Sequence, residues 1–210
     1  MTLVFPRDMT SAYEWEKADL SLAWRQESSQ QAGGTMIGKD LGSPVWKAQY
    51  ETMPLEKHLA EALHTDFLTL GGLARTFFAH VAIRPEPLAM PGAALSGVTV
   101  RMIANDRSSM KLQGLADRQV ITAGDFIAIT TANGGRELVK AASTVEVGSN
   151  GRTDEFEVTP YLRAGVALND VVDLAPPMIE LRLEKDGLQD PKRKSGNLYT
   201  VSFKASQVIR

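Results

Sequence analysis

The residues best suited to hold a metal or to transfer protons are three histidines, His58, His64 and His80. His58 and His64 lie six residues apart in a segment with helical periodicity, so their side chains point to different faces. A zinc pair on a helix is spaced by three or four residues. His80 lies in an apolar, strand-like segment, where a packed or hydrogen-bonded side chain is the simpler interpretation. The histidines therefore predict no metal site.

Motifs for nucleophilic catalysis and phosphate binding are also missing from the sequence. Cysteine is absent, which excludes thiolate chemistry and disulfides. No serine lies in a nucleophile-elbow pattern, and no glycine-rich loop precedes Lys-Ser or Lys-Thr. The segment NGGR at residues 133–136 precedes a strand rather than a helix, so it predicts a hairpin turn instead of a phosphate loop. Carboxylates such as Asp154, Glu155 and Glu157 are interpreted as solvated surface groups, and the sequence indicates no particular pair of carboxylates for acid/base catalysis. The sequence favours a protein that is not an enzyme and needs no cofactor.

Four residues are candidates for contacts with another subunit or a partner. Trp15 lies in the polar segment SAYEWEK, where an exposed indole is typical of an interface anchor. Lys192, Arg193 and Lys194 lie in a predicted charged loop at residues 184–196 that contains both signs of charge. A solvated hairpin tip and a charged partner contact are the two interpretations of this loop.

Composition limits the classes of partner. The formal net charge is −2 and the pI about 6.0, so the chain has no field that would hold nucleic acid non-specifically. No apolar run is long enough to cross a bilayer, and the start MTLVFPRDMT lacks the pattern of a signal peptide. We therefore expect no direct nucleic-acid binding, no membrane contact and a cytosolic site of assembly.

One amphipathic helix is predicted over residues 54–70. Pro54 suits the first helical position, and Gly71 and Gly72 are typical of a left-handed helix stop. Leucine and phenylalanine recur at intervals of four and predict one apolar stripe. The stripe consists of Leu55, Leu59, Leu63 and Phe67.

The rest of the chain predicts short strands and turns, and therefore a mainly β fold. The segment VWKAQYE at residues 45–51 alternates between apolar and polar positions, as a strand with one buried face does. We expect a β-sandwich hub from residues 1–111 and 176–210, which includes the helix. A small inserted β-barrel-like domain is predicted from residues 112–175. Exposed loops are predicted at residues 28–34 and 184–196, and these two are the expected subunit contacts.

The order of these segments resembles the hub domain of bacteriophage distal tail proteins. The resemblance is carried by GKDLGSPVW at residues 38–46, followed by the helix, Gly-Gly and a phenylalanine-rich strand. The later segments ITAGDFI at residues 121–127 and TPYLR at residues 159–163 are similar to segments of siphophage tail-tip structural proteins. The resemblance covers most of the chain and rests on the order and pattern of its segments.

This resemblance implies a structural virion protein that forms a homohexameric ring without catalysis. Such a ring joins the last ring of the tail tube protein to the tail hub or tip protein. The expected location is the virion tail, after assembly in the host cytoplasm. No carbohydrate-binding module is recognisable in the sequence, so a direct receptor role is not expected.

Three other functions compete with the distal-tail ring. Another tail component, such as a tube or terminator protein, differs in its oligomer geometry on the virion. A carbohydrate-binding β-sandwich needs exposed aromatic residues on one face, whereas aromatics make up only 7% of this chain and fall mostly at predicted core positions. A hydrolase with scattered carboxylates has the least support.

Overall fold

The computed structural model describes residues 3–30, 33–93 and 95–209, and the fold is mainly β with one helix, α1 (Lys57–Leu68). The strands in chain order are β1 (Trp15–Ala23), β2 (Gln26–Gln30), β3 (Met36–Asp40), β4 (Val45–Thr52), β5 (Leu55–Glu56), β6 (Phe77–His80), β7 (Thr99–Ile103), β8 (Ser109–Gln113), β9 (Val120–Ile121), β10 (Phe126–Thr130), β11 (Arg136–Ala141), β12 (Val145–Glu146), β13 (Phe156–Thr159), β14 (Val171–Asp173), β15 (Met178–Leu188), β16 (Lys192–Ser195), β17 (Leu198–Thr200) and β18 (Ser202–Gln207).

A five-stranded antiparallel sheet in the order β1-β4-β18-β15-β6 forms one layer of the molecule. Strand β4 confirms the predicted alternation, because Trp46, Ala48 and Tyr50 are buried on one face while Lys47 is exposed on the other. The edge formed by β6 is covered by the amino-terminal segment, since the Met9 N–H donates to the Phe78 carbonyl. One face of the sheet is therefore apolar and the other polar.

The helix begins later than the sequence predicted. Leu55 and Glu56 form β5 and pair with β17, so the start of the helix at Pro54 is wrong. Because strand pairing takes up the backbone of these two residues, the helix starts only at Lys57. The helix ends at Leu68, two residues before the predicted end at Leu70, and Gly71 and Gly72 follow with the positive φ expected of a helix stop.

The apolar stripe of α1 is also shifted from the predicted one. Leu63 and Phe67 are buried as expected, but Ala60 takes the place predicted for Leu59, which is 42% exposed. The stripe packs against the apolar face of the sheet, where the Phe67 ring lies 4.6 Å from that of Phe203. The helix therefore covers part of this face.

A closed barrel in the order β10-β11-β13-β8-β7-β14 forms the second unit. The predicted boundary between residues 111 and 112 is wrong at this end, because it cuts through β8 and leaves β7 outside. The polar segment at residues 105–109, which the sequence predicts as a domain boundary, instead lies inside the barrel, where it forms most of the turn between β7 and β8 and the first residue of β8. The hairpin predicted at residues 133–136 is confirmed, since β10 and β11 pair antiparallel across it.

The barrel wall takes part in two cores. Along β10, Ile127 and Ile129 point into the barrel, whereas Phe126 and Ala128 belong to the core under the five-stranded sheet. Leu138 of the neighbouring strand β11 also lies in the sheet core. The layer that covers the apolar face of the sheet thus consists of α1 and the outer wall of the barrel. Because this side of the barrel is buried against the sheet, apolar contacts hold the two units together.

Both predicted contact loops contain regular structure. Of the segment at residues 28–34, residues 31 and 32 lie outside the described residues, and residues 28–30 belong to β2. In the segment at residues 184–196, β15 continues to Leu188, and Lys192–Ser195 form β16. Residues 28–30 and 192–195 are therefore strands rather than loops, whereas Gly33 and Gly34 lie in the turn between β2 and β3, and β16 forms an exposed hairpin with β17. Polar, exposed strands lack the alternation of apolar and polar residues that predicts a strand from sequence.

Candidate functional site

Trp15 is the first residue of β1 and does not lie in an irregular segment. Its indole packs edge-on against Tyr50 at 4.9 Å and Phe203 at 5.6 Å, and its Nε1 donates to the Thr10 carbonyl at 3.0 Å. The ring is half-buried, so most of its contacts are within the chain. The partner contact suggested for Trp15 stays a prediction.

The three basic residues lie on β16, where all three are exposed. Lys192 Nζ donates to Gln189 Oε1 at 2.7 Å, and Arg193 Nε donates to the Gly196 carbonyl at 2.6 Å. Lys194 Nζ lies 3.5 Å from a carboxylate oxygen of Glu51. Exposed ion pairs of this kind contribute little to stability. Their role in a subunit contact also stays a prediction.

A projecting ribbon is the surface feature that sequence reasoning missed. Strands β2 and β3 pair only with each other in the described structure, and every residue in both is exposed. The ribbon continues the β1–β4 pair outward beyond the sheet, with the Leu41 N–H donating to the Arg25 carbonyl at 2.7 Å. Met36 is 69% exposed and Ile37 52% exposed. In the sequence, the available signal was two adjacent apolar residues within a polar segment.

Strand β1 forms an edge of the five-stranded sheet. It pairs with β4 on one side, and no strand of the described chain pairs with its other side. In an antiparallel edge strand every second residue turns its backbone N–H and C=O away from the partner strand, so about half of the residues of β1 present these groups outward. The strand carries charged side chains such as Glu16, Lys17 and Asp19, which are common at exposed sheet edges because they oppose non-specific aggregation.

The polar face of the same sheet carries a groove of about 530 Å³. It is lined by Asp19 and Ser21 of β1, Lys47 of β4, Glu184 of β15 and Lys204 of β18, among others. Glu184 accepts a hydrogen bond from Ser206 Oγ and lies 3.2 Å from Lys47 Nζ, and these contacts, the Ser206 bond first, lower the pKa of the Glu184 carboxyl. Charges of both signs make this face well hydrated and close to neutral.

A buried ion pair within the barrel, between Glu137 and Arg163, also connects the barrel to the sheet through the other contacts of Arg163. Arg163 donates to Glu137 Oε2 at 2.7 Å, to the Pro44 carbonyl at 2.7 Å and to Gln207 Oε1 at 3.3 Å. Burial raises the pKa of Glu137 to about 7, although the Arg163 guanidinium acts in the opposite direction. The indole Nε1 of Trp46 adds a bond to the Leu138 carbonyl at 2.7 Å. These contacts fix the sheet and barrel relative to each other.

The histidines make no common site. His64 lies 3.5 Å from an Asp190 carboxylate oxygen, and His80 Nδ1 lies 3.0 Å from Thr10 Oγ1. Burial lowers the pKa of His80, with the Asp8 carboxylate acting in the opposite direction. Among the residues that the structure describes, no group of three or more His, Asp or Glu side chains is arranged to hold a metal. No helix in the described ranges is long and apolar enough to span a membrane.

No model of a known protein family matches the chain, and no curated protein matches it significantly.

Proposed function

We propose that this chain is a structural subunit of a phage tail, and that copies of it form a homohexameric ring at the distal end of that tail. In this role the ring joins the tail tube protein to the tail hub or tip protein. It assembles in the host cytoplasm and resides in the virion. The segment order that resembles distal tail proteins supports this proposal.

The observation that carries the proposal is the ribbon formed by β2 and β3. A two-stranded ribbon without a packed face is only marginally stable in water. This ribbon has no buried residue, and it presents Met36 and Ile37 to solvent. Packing against a neighbouring subunit supplies the burial that the ribbon lacks within its own chain. We infer that the ribbon is an assembly arm.

The free edge of β1 and the polar sheet face fit the same role. A head-to-tail contact between unlike patches closes into a ring when the rotation between neighbours divides a full turn. The ribbon and the unpaired edge of β1 supply two such patches on one subunit. The hydrated face around Lys47 and Glu184 suits a surface that borders a water-filled channel.

The experiment is to shorten the ribbon and measure the oligomeric state. Residues 27–39 are replaced by a two-residue Asn-Gly turn, which closes a hairpin without extra strands. Wild-type protein is expected to show oligomers up to six times the 22.9 kDa subunit mass in native mass spectrometry. The shortened variant is expected to be monomeric with an unchanged far-UV circular dichroism spectrum per structured residue.

A matched control keeps the ribbon and changes another exposed part of the chain. Leu168→Ser removes an exposed apolar side chain in the β13–β14 connection. This control is expected to assemble as the wild type does. A wild-type protein that stays monomeric at about 100 μM, or a shortened variant that assembles normally, contradicts the role given to the ribbon.

A further inference from the structure

A second groove, of about 330 Å³, lies on the outside of the barrel and is separate from the assembly surfaces. Three arginines line it from three different parts of the barrel. Arg101 comes from β7, Arg118 from the β8–β9 connection and Arg152 from the β12–β13 connection. An isolated bridge between Gln113 and Arg152 holds the last of these against the barrel. All three side chains are exposed and line the same groove.

The three guanidinium groups have no partner within the described chain. Four other arginines each contact a carboxylate at 3.0 Å or less. For Arg101, Arg118 and Arg152 the described structure contains no side-chain hydrogen bond and no ion pair. Guanidinium groups bind carboxylates and other oxyanions in a bidentate manner. Three of them around one groove provide several donors for such a group.

The backbone at Arg118 gives an independent reason to assign a function to its side chain. Its φ is +61°, a conformation that costs energy for a residue with a long side chain. Asn169 and Asp186 also have positive φ, but these residue types tolerate it. Arg107 has a φ of +60°, and its guanidinium donates to backbone carbonyls of the β13–β14 connection. Arg118 alone of these four combines the strain with a side chain that has no partner.

The groove also contains hydrogen-bond acceptors. Asp117, Glu146 and Asp154 line it together with the arginines, so its formal charge is balanced. Their carboxylates are acceptors that match the donors of hydroxyl groups. No aromatic residue lines the groove, so the stacking platform of neutral-sugar sites is missing. The set fits a ligand that carries a carboxylate and several hydroxyls.

We propose that this groove binds an acidic saccharide. The carboxylate of a uronic-acid unit is held by Arg118 with Arg101 or Arg152, and its ring hydroxyls donate to Asp117, Glu146 or Asp154. The site binds the saccharide without catalysing a reaction, and binding does not depend on ring formation. The site is available in the single chain.

Isothermal titration calorimetry of the full chain tests this site with three probes at low ionic strength, where charge pairing is least screened. Trigalacturonate is expected to bind saturably. Maltotriose, which lacks the carboxylates, and inorganic phosphate, which lacks the sugar, are each expected to bind at least about tenfold more weakly. Equal binding of maltotriose contradicts the role of the arginines. Equal binding of phosphate identifies a bare oxyanion site and overturns the saccharide assignment.

Arg118→Gly is the informative variant, because glycine suits the positive φ and the fold is retained. Its affinity for trigalacturonate is expected to fall about tenfold or more, the loss of one charge-assisted contact. Its urea midpoint is expected to equal or exceed that of the wild type, which separates loss of binding from loss of folding. Arg182→Ala, an exposed arginine on β15, is the matched control with unchanged affinity. Unchanged binding by Arg118→Gly, or no saturable binding by the wild type, overturns the proposal.

Discussion

Single residues decide how the helix and the barrel are held to the sheet. Leu63 and Phe67 pack into the core under the sheet, while Arg163, ion-paired with Glu137 in the barrel, donates to Pro44 and Gln207 at the sheet. The first contact depends on apolar burial and the second on charge. Two substitutions therefore test them by different measurements.

Leu63→Ala is expected to lower the free energy of unfolding by about 2–5 kcal/mol, because it removes buried methyl groups and leaves a cavity. Leu63 is 1% exposed, whereas Leu59, four residues earlier on the same helix, is 42% exposed. Leu59→Ala is the control, with an expected change of about 0.5 kcal/mol or less. Urea denaturation measures both. Equal effects of the two substitutions contradict the placement of the helix stripe.

Glu137 is expected to make stability depend on pH. Its pKa is about 7 in the folded protein and 4.5 as an ordinary carboxyl, so the folded state binds this proton more tightly than the unfolded chain. The stabilisation by the proton is complete below the unfolded pKa and is lost as the pH rises towards and past 7. The free energy of unfolding of the wild type, relative to Glu137→Gln, is therefore expected to fall between pH 5 and pH 8.

Urea denaturation of both proteins at several pH values in this interval measures that difference. Titrations of all other groups are shared by the two proteins and cancel. Glu157→Gln, at an exposed position of β13, is the control and is expected to show no such trend. A difference that stays constant or grows with pH contradicts the direction given for Glu137.

At the scale of elements, strand β15 contains an irregularity that shapes the edge of the polar groove. Its register against β18 shifts between Leu183 and Leu188. Gly187 lies in this bulge, and a Cβ there would be 2.4 Å from the Lys204 carbonyl oxygen and 2.9 Å from that of Glu184. Backbone atoms cannot give way as a flexible side chain can, so only glycine fits.

Gly187→Ala is therefore expected to destabilise the protein by about 1–3 kcal/mol, the usual cost of forcing extra atoms into a packed site. Gly165→Ala is the control, because a Cβ at Gly165 has no neighbour within 4 Å. Thermal unfolding followed by circular dichroism compares the two variants. A Gly187→Ala protein as stable as the control contradicts the close approach of β15 and β18.

The elements also mark where sequence patterns succeed and where they fail. The alternation in β4 and the Asn-Gly turn before β11 are local signals, and both predictions are confirmed. The short strand β5 and the exposed strands β2 and β16 carry no apolar period, and their pairing is set by distant partners. The arginine groove of the barrel depends on three segments that only the fold brings together. Sequence reasoning alone therefore missed it.

At the scale of the whole molecule, the sheet and barrel form two layers that share an apolar contact. Phe126 and Leu138 on the barrel wall complete the core of the sheet, and Arg163 bonds across the same junction. The barrel is thus packed as a fixed second layer. In the proposed ring, the edge of β1 and the ribbon contact other copies, and the polar sheet face borders the channel.

The most direct test of a distal-tail ring is to locate the chain on tailed particles. Antibodies raised against the purified protein are used for immunogold electron microscopy of virions of the phage that encodes it. The proposal predicts label confined to the distal end of the tail. Label along the whole tail, as for a tube protein, at the head-proximal end, as for a terminator, or on no particle contradicts it.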